Sequence, residues 1–200
     1  MIRQNKRDLI LKAAIKIFAE KSYNGATTSE IAKEAGVAEG TVFRYFKTKK
    51  DILIGGIIDE FTKFVGEKLI SEKLINILEE NSNKNEEEVL KILIKDRIEL
   101  VKKYKDIMKI VVTEALYTPE VAVSIKNNIF PQARLVMRKF LSIYTERGIF
   151  REVDIEVAEA AILGMMVSYV VQNYILISGV ENEDDKIDKI IDVILNGLRK

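Results

Sequence analysis

Residues 25–50, GATTSEIAKEAGVAEGTVFRYFKTKK, place two short helical patterns on either side of Gly36 and end in a cluster of lysines. Thr27 and Glu30 have the spacing of a capping box, in which the hydroxyl accepts from a first-turn amide and the carboxylate reaches back to the amide of the cap. A helix is therefore predicted to start near Thr28, with Ile31, Ala32 and Ala35 on one face. Gly36 supplies the left-handed backbone that a helix exit favours, so the chain turns at Gly36-Val37-Ala38. From Glu39 a second helix of about two turns puts Val42 and Phe46 on the buried side and leaves Gly40, Thr41, Arg44 and Tyr45 facing away. Thr48 and Asp51 repeat the capping spacing and begin a third helix, with Lys49 left free for an external anion. A helix-turn-helix with an outward cationic face suits the phosphates and base edges of duplex DNA.

Charge is distributed accordingly. The whole chain carries a net charge of +1, but residues 1–51 hold 11 Lys/Arg against 6 Asp/Glu, so the basic excess sits with the motif and the remainder is slightly acidic. That is the footprint of a phosphate-facing head on a neutral or acidic body. The chain contains no Cys and no His. Disulfides, thiolate metal sites and an imidazole base are thereby excluded, and with them most familiar catalytic arrangements. A hydrophobic content of 48% over 200 residues is enough to bury a substantial core. Lys12 and Lys16 interrupt the apolar pattern near the N-terminus, which argues against a cleaved signal peptide and makes the cytoplasm the expected location.

The rest of the chain reads as helix after helix. Asn5 and Asp8 can cap a first helix whose Leu9, Ile10, Ala13, Ala14, Ile17 and Phe18 form an apolar stripe, broken at Tyr23-Asn24-Gly25. Beyond Asp51 an apolar segment through Ile57, Ile58, Phe61, Phe64, Val65 and Leu69 predicts a connecting helix, and residues 79–85 read as an exposed loop. Helices are predicted over 86–103 and 105–117, a further one from Thr118-Pro119, and another from Pro131 to Arg147 ended by Gly148. Asp154 should cap a long helix to about Ser178 with Gly179 as its stop. Ile187, Ile190, Ile191, Ile194 and Leu198 give the last helix a sharp apolar face.

Several spacings agree at once with a known pattern. Ile10-Leu11-Lys12-Ala13-Ala14, Phe18-Ala19-Glu20, Thr27-Thr28, Ile31-Ala32, Ala35-Gly36-Val37, Gly40-Thr41-Val42-Phe43 and Phe46-Lys47-Thr48-Lys49 resemble the TetR family of one-component bacterial regulators, over residues 1–55. The resemblance implies an all-α fold: a three-helix DNA-binding head at 1–50, followed by a helical ligand-binding and dimerisation body at 51–200. Within the head, Arg44 is the candidate for direct base readout, because a guanidinium donates two hydrogen bonds to guanine in the major groove. Thr41 can meet a thymine methyl or a phosphate, and Gly40 lets the backbone come close. Tyr45 and Lys49 are placed for phosphate, while Thr28 and Ser29 can add hydroxyl and amide contacts alongside capping. One departure from the family is Phe43 where Tyr is frequent, so a phosphate hydroxyl is missing there.

The body is less specific. Residues 160–180 contain no charge and are long enough to span a membrane, but Gln172-Asn173 lies inside and Glu156, Glu159 and Glu181 flank it. We read this helix as covered on one side by its own domain and on the other by a second subunit, with the final helix as its partner in a homodimer. Tyr104, Met108, Tyr117, Phe130, Met137, Phe140, Met165, Tyr169, Gln172 and Asn173 offer an adaptable apolar lining for a small-molecule effector, hydrophobic or amphipathic. The acidic run Glu181, Glu183, Asp184 and Asp185 is accounted for by capping and solvation, and no cofactor or metal is expected. The expected function is a ligand-responsive repressor binding a palindromic double-stranded DNA operator as a dimer. An activator of the same fold, or an enzyme using the C-terminal cavity, are the alternatives.

Overall fold

The computed structural model describes residues 5–176 and 181–199. Among them the chain is helical with short turns, and the sole extended pairing is an isolated antiparallel bridge between Phe150 and Arg199. The all-α expectation holds. The backbone falls into two compact units, one made of Met1–Phe64 with Asp106–Asn127, the other of Val65–Lys105 with Asn128–Lys200.

In the first unit, Asn5 accepts from the Arg7 amide and opens α1 (Lys6–Gly25), which buries Ile10, Leu11, Ala13, Ala14, Ile17 and Phe18. Regular helix is interrupted at Ser22, whose φ of 57° lies in the left-handed region. The buried face of α1 carries α2 (Thr28–Ala35) and α3 (Glu39–Tyr45). Then come α4 (Lys49–Asp51), the π-helical stretch π1 (Ile52–Ile58) and α5 (Asp59–Phe64). Residues of α8 (Lys105–Ala115) and α9 (Pro119–Asn128) complete the unit, tied to the head by polar contacts. Lys109 Nζ donates to the Ala19 carbonyl at 3.1 Å, and Lys50 pairs with Glu120 at 2.5 Å. Ser124 donates to Asp59 at 2.7 Å and shares a buried 2.8 Å hydrogen bond with Thr62.

The second unit is a bundle of π2 (Val65–Glu72), α6 (Lys73–Glu80), α7 (Glu86–Lys103), α10 (Phe130–Glu146), α11 (Ile155–Val170), π3 (Val171–Leu176) and α12 (Glu183–Leu198). Asn85 caps α7 by accepting from the Glu88 amide, and Asp154 caps α11 by accepting from Glu156 and Val157. Phe140, Tyr144 and Phe150 stack their rings within 5.9 Å of one another, which fills the interior at the end of α10. Glu159 on α11 is 1% exposed, and its carboxylate takes a 2.7 Å bond from Arg138 of α10. The predicted end of the long helix, at Ser178 and Gly179, lies outside the described residues.

One expectation is corrected. The segment after Asp51 was expected as a regular helix, but it contains wide π turns around Gly55-Gly56 and Gly66. At Gly66 the backbone of π2 comes so near the Asn128 carbonyl that a Cβ would overlap it. The isoleucine face of α12, with Ile187, Ile191, Ile194, Leu195 and Leu198, turns inward and packs on α7. Burying that stripe within its own unit removes more apolar surface than leaving it for an encounter.

Gly66→Ala should therefore destabilise the protein by about 1–3 kcal/mol through overpacking against a backbone atom that cannot rotate away. Gly55, where an added Cβ meets nothing within 4 Å, provides the opposite case. Gly55→Ala should raise stability by about 0.5–1 kcal/mol through helix propensity. Urea midpoints of the two variants against the parent check both signs.

Candidate nucleic-acid interface

The geometry of α2 and α3 follows from three local devices. Thr27 accepts from the Glu30 amide at 3.2 Å while its own amide donates to Glu30 Oε2 at 3.0 Å, a complete capping box. A hydrogen bond from Lys21, and then those from Thr27, hold the Glu30 carboxyl down at about 2. Being depressed, that group contributes its stabilisation above the ordinary carboxylate range and loses it only as pH falls through about 2. At the other end Gly36 adopts φ 66°, and the amides of Gly36 and Val37 return to Ala32 and Lys33 carbonyls. Thr28 Oγ1 then donates to Glu39 Oε1 at 2.7 Å, joining the first turn of α2 to the first turn of α3.

These devices aim α3 outward. Val42 and Phe46 are buried as anchors, while Gly40, Phe43, Arg44 and Tyr45 are exposed and Thr41 is half-buried. Arg44 makes no ion pair among the described residues, so its guanidinium is available to an external acceptor. Lys47 is likewise exposed and unpaired, a cation the site prediction passed over even though its place directly after the anchor Phe46 marks it. Ser29 is exposed on the first turn of α2. Nothing stands within 4 Å of a Cβ built on Gly40, so the backbone there is open to close approach.

Lys49 departs from expectation. Its ammonium is not free: it donates to the carbonyls of Tyr23 at 2.7 Å and Ala26 at 2.8 Å and sits 4.4 Å from the centre of the Tyr23 ring. The disrupted turn after Ser22 leaves carbonyls without helical partners, and Lys49 satisfies them. The second capping box forms as predicted, with Thr48 accepting from the Asp51 amide and its own amide donating to Asp51.

The effector candidates are divided between the two units. Met108 and Tyr117 belong to the first unit, and Tyr117 is 77% exposed. Of those in the second unit, Met137 and Phe140 are core and Phe130 is half-exposed. Tyr104 and Asn173 are half-buried, with Asn173 donating to the Tyr169 carbonyl and Gln172 donating to Ser168 from the surface. A cleft of about 500 Å³ between α11 and α12, lined by Val157, Ala161, Met165, Val193 and Gly197 among others, contains only Met165 of the predicted set.

Residues 10–54 match the family model described as bacterial regulatory proteins of the tetR family. A fatty acid metabolism regulator protein of Bacillus subtilis is 45% identical over 56 residues, 28% of this chain and 29% of that protein. Such sequence matches span about a third of the length of the curated relatives, 29% and 36% for two of them. Likeness of backbone extends further. The fatty acid degradation regulator FadR of Bacillus halodurans is similar with a TM-score of 0.66 at 26% identity, over 100% of this chain and 99% of that one. The TetR-family regulator PfmR of Thermus thermophilus aligns with a TM-score of 0.70 at 21% identity, over 96% and 99%.

Lys49→Ala should lower unfolding stability by about 1–3 kcal/mol, because two partly buried carbonyls lose their donor. Arg44→Ala, an exposed change, should stay within about 0.5 kcal/mol of the parent. Equal effects in thermal or urea unfolding would contradict this division of labour.

Proposed function

From the premise that this chain carries a TetR-family regulatory domain at residues 10–54, we propose that it is a ligand-responsive transcriptional repressor that binds a palindromic operator as a homodimer. The observation that carries the reading is the unpaired Arg44 on the exposed face of a short helix held rigidly by the Gly36 turn. In this reading residues 1–50 bind DNA and residues 51–200 sense and dimerise. Arg44 reads a base edge, Thr41 and Gly40 approach the groove floor, and Tyr45, Thr28, Ser29 and Lys47 contact the backbone. Lys49 contributes mainly by fixing the Tyr23–Ala26 turn, with one remaining N–H for phosphate.

Dimerisation is supported by what α11 leaves uncovered. The helix Ile155–Leu176 is long and apolar enough to cross a membrane, and 17% of its apolar 18-residue window is buried. Val157, Ala161, Gly164, Met165 and Ser168 recur at helical spacing on its exposed side, joined by Val193 and Gly197 of α12. A stripe of small and apolar residues lets two such helices pack closely against their copies, giving a four-helix interface. The inward half of α11 holds the Glu159–Arg138 ion pair, which suits a helix in a soluble bundle.

The effector is a small hydrophobic or amphipathic molecule. An acyl compound fits, since the Bacillus halodurans relative is described as a regulator of fatty acid degradation. For release of DNA the effector must bind the DNA-incompetent state more tightly, with a coupling of about 1–3 kcal/mol. Within the first unit, the Lys50–Glu120, Lys109–Ala19 and Ser124–Asp59 contacts bind residues 106–127 to the head. In this reading a shift of α8 and α9 acts on α1, α4 and α5, the helices these contacts reach.

The test is fluorescence anisotropy on duplexes drawn from the DNA upstream of the coding sequence. A specific inverted repeat should be bound, and Arg44→Ala should weaken it by about 1–3 kcal/mol and blur one base preference. Affinity that is equal for all duplexes, or unchanged in Arg44→Ala, would overturn the reading. Separately, Val157→Glu combined with Val193→Glu should convert a dimer to monomers in analytical ultracentrifugation; a double variant that stays dimeric would place the interface elsewhere.

A further inference from the structure

The inward stripe of α7 consists of Val89, Leu90, Leu93, Ile94, Ile98 and Val101, all buried, and Arg97 stands among them at the same helical spacing. Its side chain is 14% exposed. The carboxylate bonded to it is that of Asp96, the preceding residue, through Nη2. Asp96 is also paired with Lys73 of α6. Two cations thus share one anion; Lys73 is half exposed to solvent, so the charge left with little hydration is that of Arg97.

The remaining Arg97 donors show the same deficit. Nε and Nη1 are buried and make no hydrogen bond. Loss of hydration is the largest influence on the guanidinium and drives its pKa down, against the raising effect of Asp96. An orphaned charged donor in a helical core is costly, and an apolar residue of similar volume is commonly as stable or more so. Stability therefore gives no reason for arginine at this position.

We propose that Arg97 anchors the anionic head of an amphipathic small molecule whose apolar part lies among the aliphatic side chains of the same bundle. This deepens the effector reading given above and rests on it. The chemistry asked of the ligand is a carboxylate or phosphate oxygen able to accept from a guanidinium, and a hydrocarbon portion.

The experiment is isothermal titration of the full chain, without DNA, with octanoate, octyl phosphate and octan-1-ol. The wild type should bind at least one of the two anions roughly tenfold to a hundredfold more tightly than the alcohol, the worth of charge-assisted hydrogen bonds. Octanoate alone showing the preference identifies a carboxylate head, and octyl phosphate alone a phosphate. Arg97→Met should abolish the preference while leaving affinity for octan-1-ol unchanged. Equal binding of anion and alcohol by the wild type, no binding of any of the three, or a preference that survives in Arg97→Met would overturn the proposal. Thermal unfolding of ligand-free Arg97→Met guards against a merely structural role. Its Tm should match or exceed the parent's, and a fall of more than about 5 °C would make Arg97 a brace for Asp96 and overturn the anchor. An anion whose binding needs Arg97 but does not release operator DNA would support the anchor while removing the repressor reading.

Discussion

The left-handed backbone at Gly36 is the constraint from which the DNA-facing surface is built. It ends α2 within one residue, returns two amides to the last carbonyls of that helix, and lets the chain re-enter helix at Glu39. Had α2 run on, Val42 and Phe46 would not reach the core and Arg44 would not face outward. The capping box at Thr27 and Glu30 fixes where α2 starts, so its length is set at both ends. The Thr28–Glu39 hydrogen bond then joins the two helices across the turn. Each device is worth only about a kilocalorie per mole, but together they leave one arrangement of the exposed side chains.

The second unit solves a different problem. It must bury a core, yet it keeps apolar surface on α11 uncovered and a cationic group on α7 undercompensated. Both features cost stability in an isolated chain, and in the proposed reading a second copy relieves the first and an anionic molecule the second. The two proposed sites lie on the same bundle, with α7 packed against α11 and α12. A ligand that adjusts α7 against α11 therefore acts on the helix that carries the proposed subunit contact, a route by which sensing and the spacing of two heads become one equilibrium.

What was legible in the sequence was local. Thr27 with Glu30, Thr48 with Asp51, Asn5, Asn85, Asp154 and the turn at Gly36 each act within a few residues, and each was found where its spacing put it. What depended on distant partners was not. Lys49 was read as free because its acceptors, the carbonyls of Tyr23 and Ala26, lie 26 and 23 residues away and become available only through the irregular Ser22 turn. Gly66 gave no sign that it faces the Asn128 carbonyl. The amphipathic pattern of α12 showed that a face would be covered, but periodicity carries no information on whether self or partner covers it. Arg97 did leave a signal: one arginine in the apolar register of Leu90, Leu93, Ile94 and Val101. The effector candidates were chosen as large apolar residues, a criterion that cannot separate a lining from a core such as Phe140.

The account holds that paired α3 helices are kept at a separation fitting successive major grooves by the bodies that join them. Hydroxyl-radical footprinting of the full chain on its bound duplex measures this directly. Two protected patches on one face of the DNA, related by an inverted repeat and centred about one helical turn or a multiple of 34–36 Å apart, are the result the account requires. A single patch, or protection that follows no repeat, would contradict it.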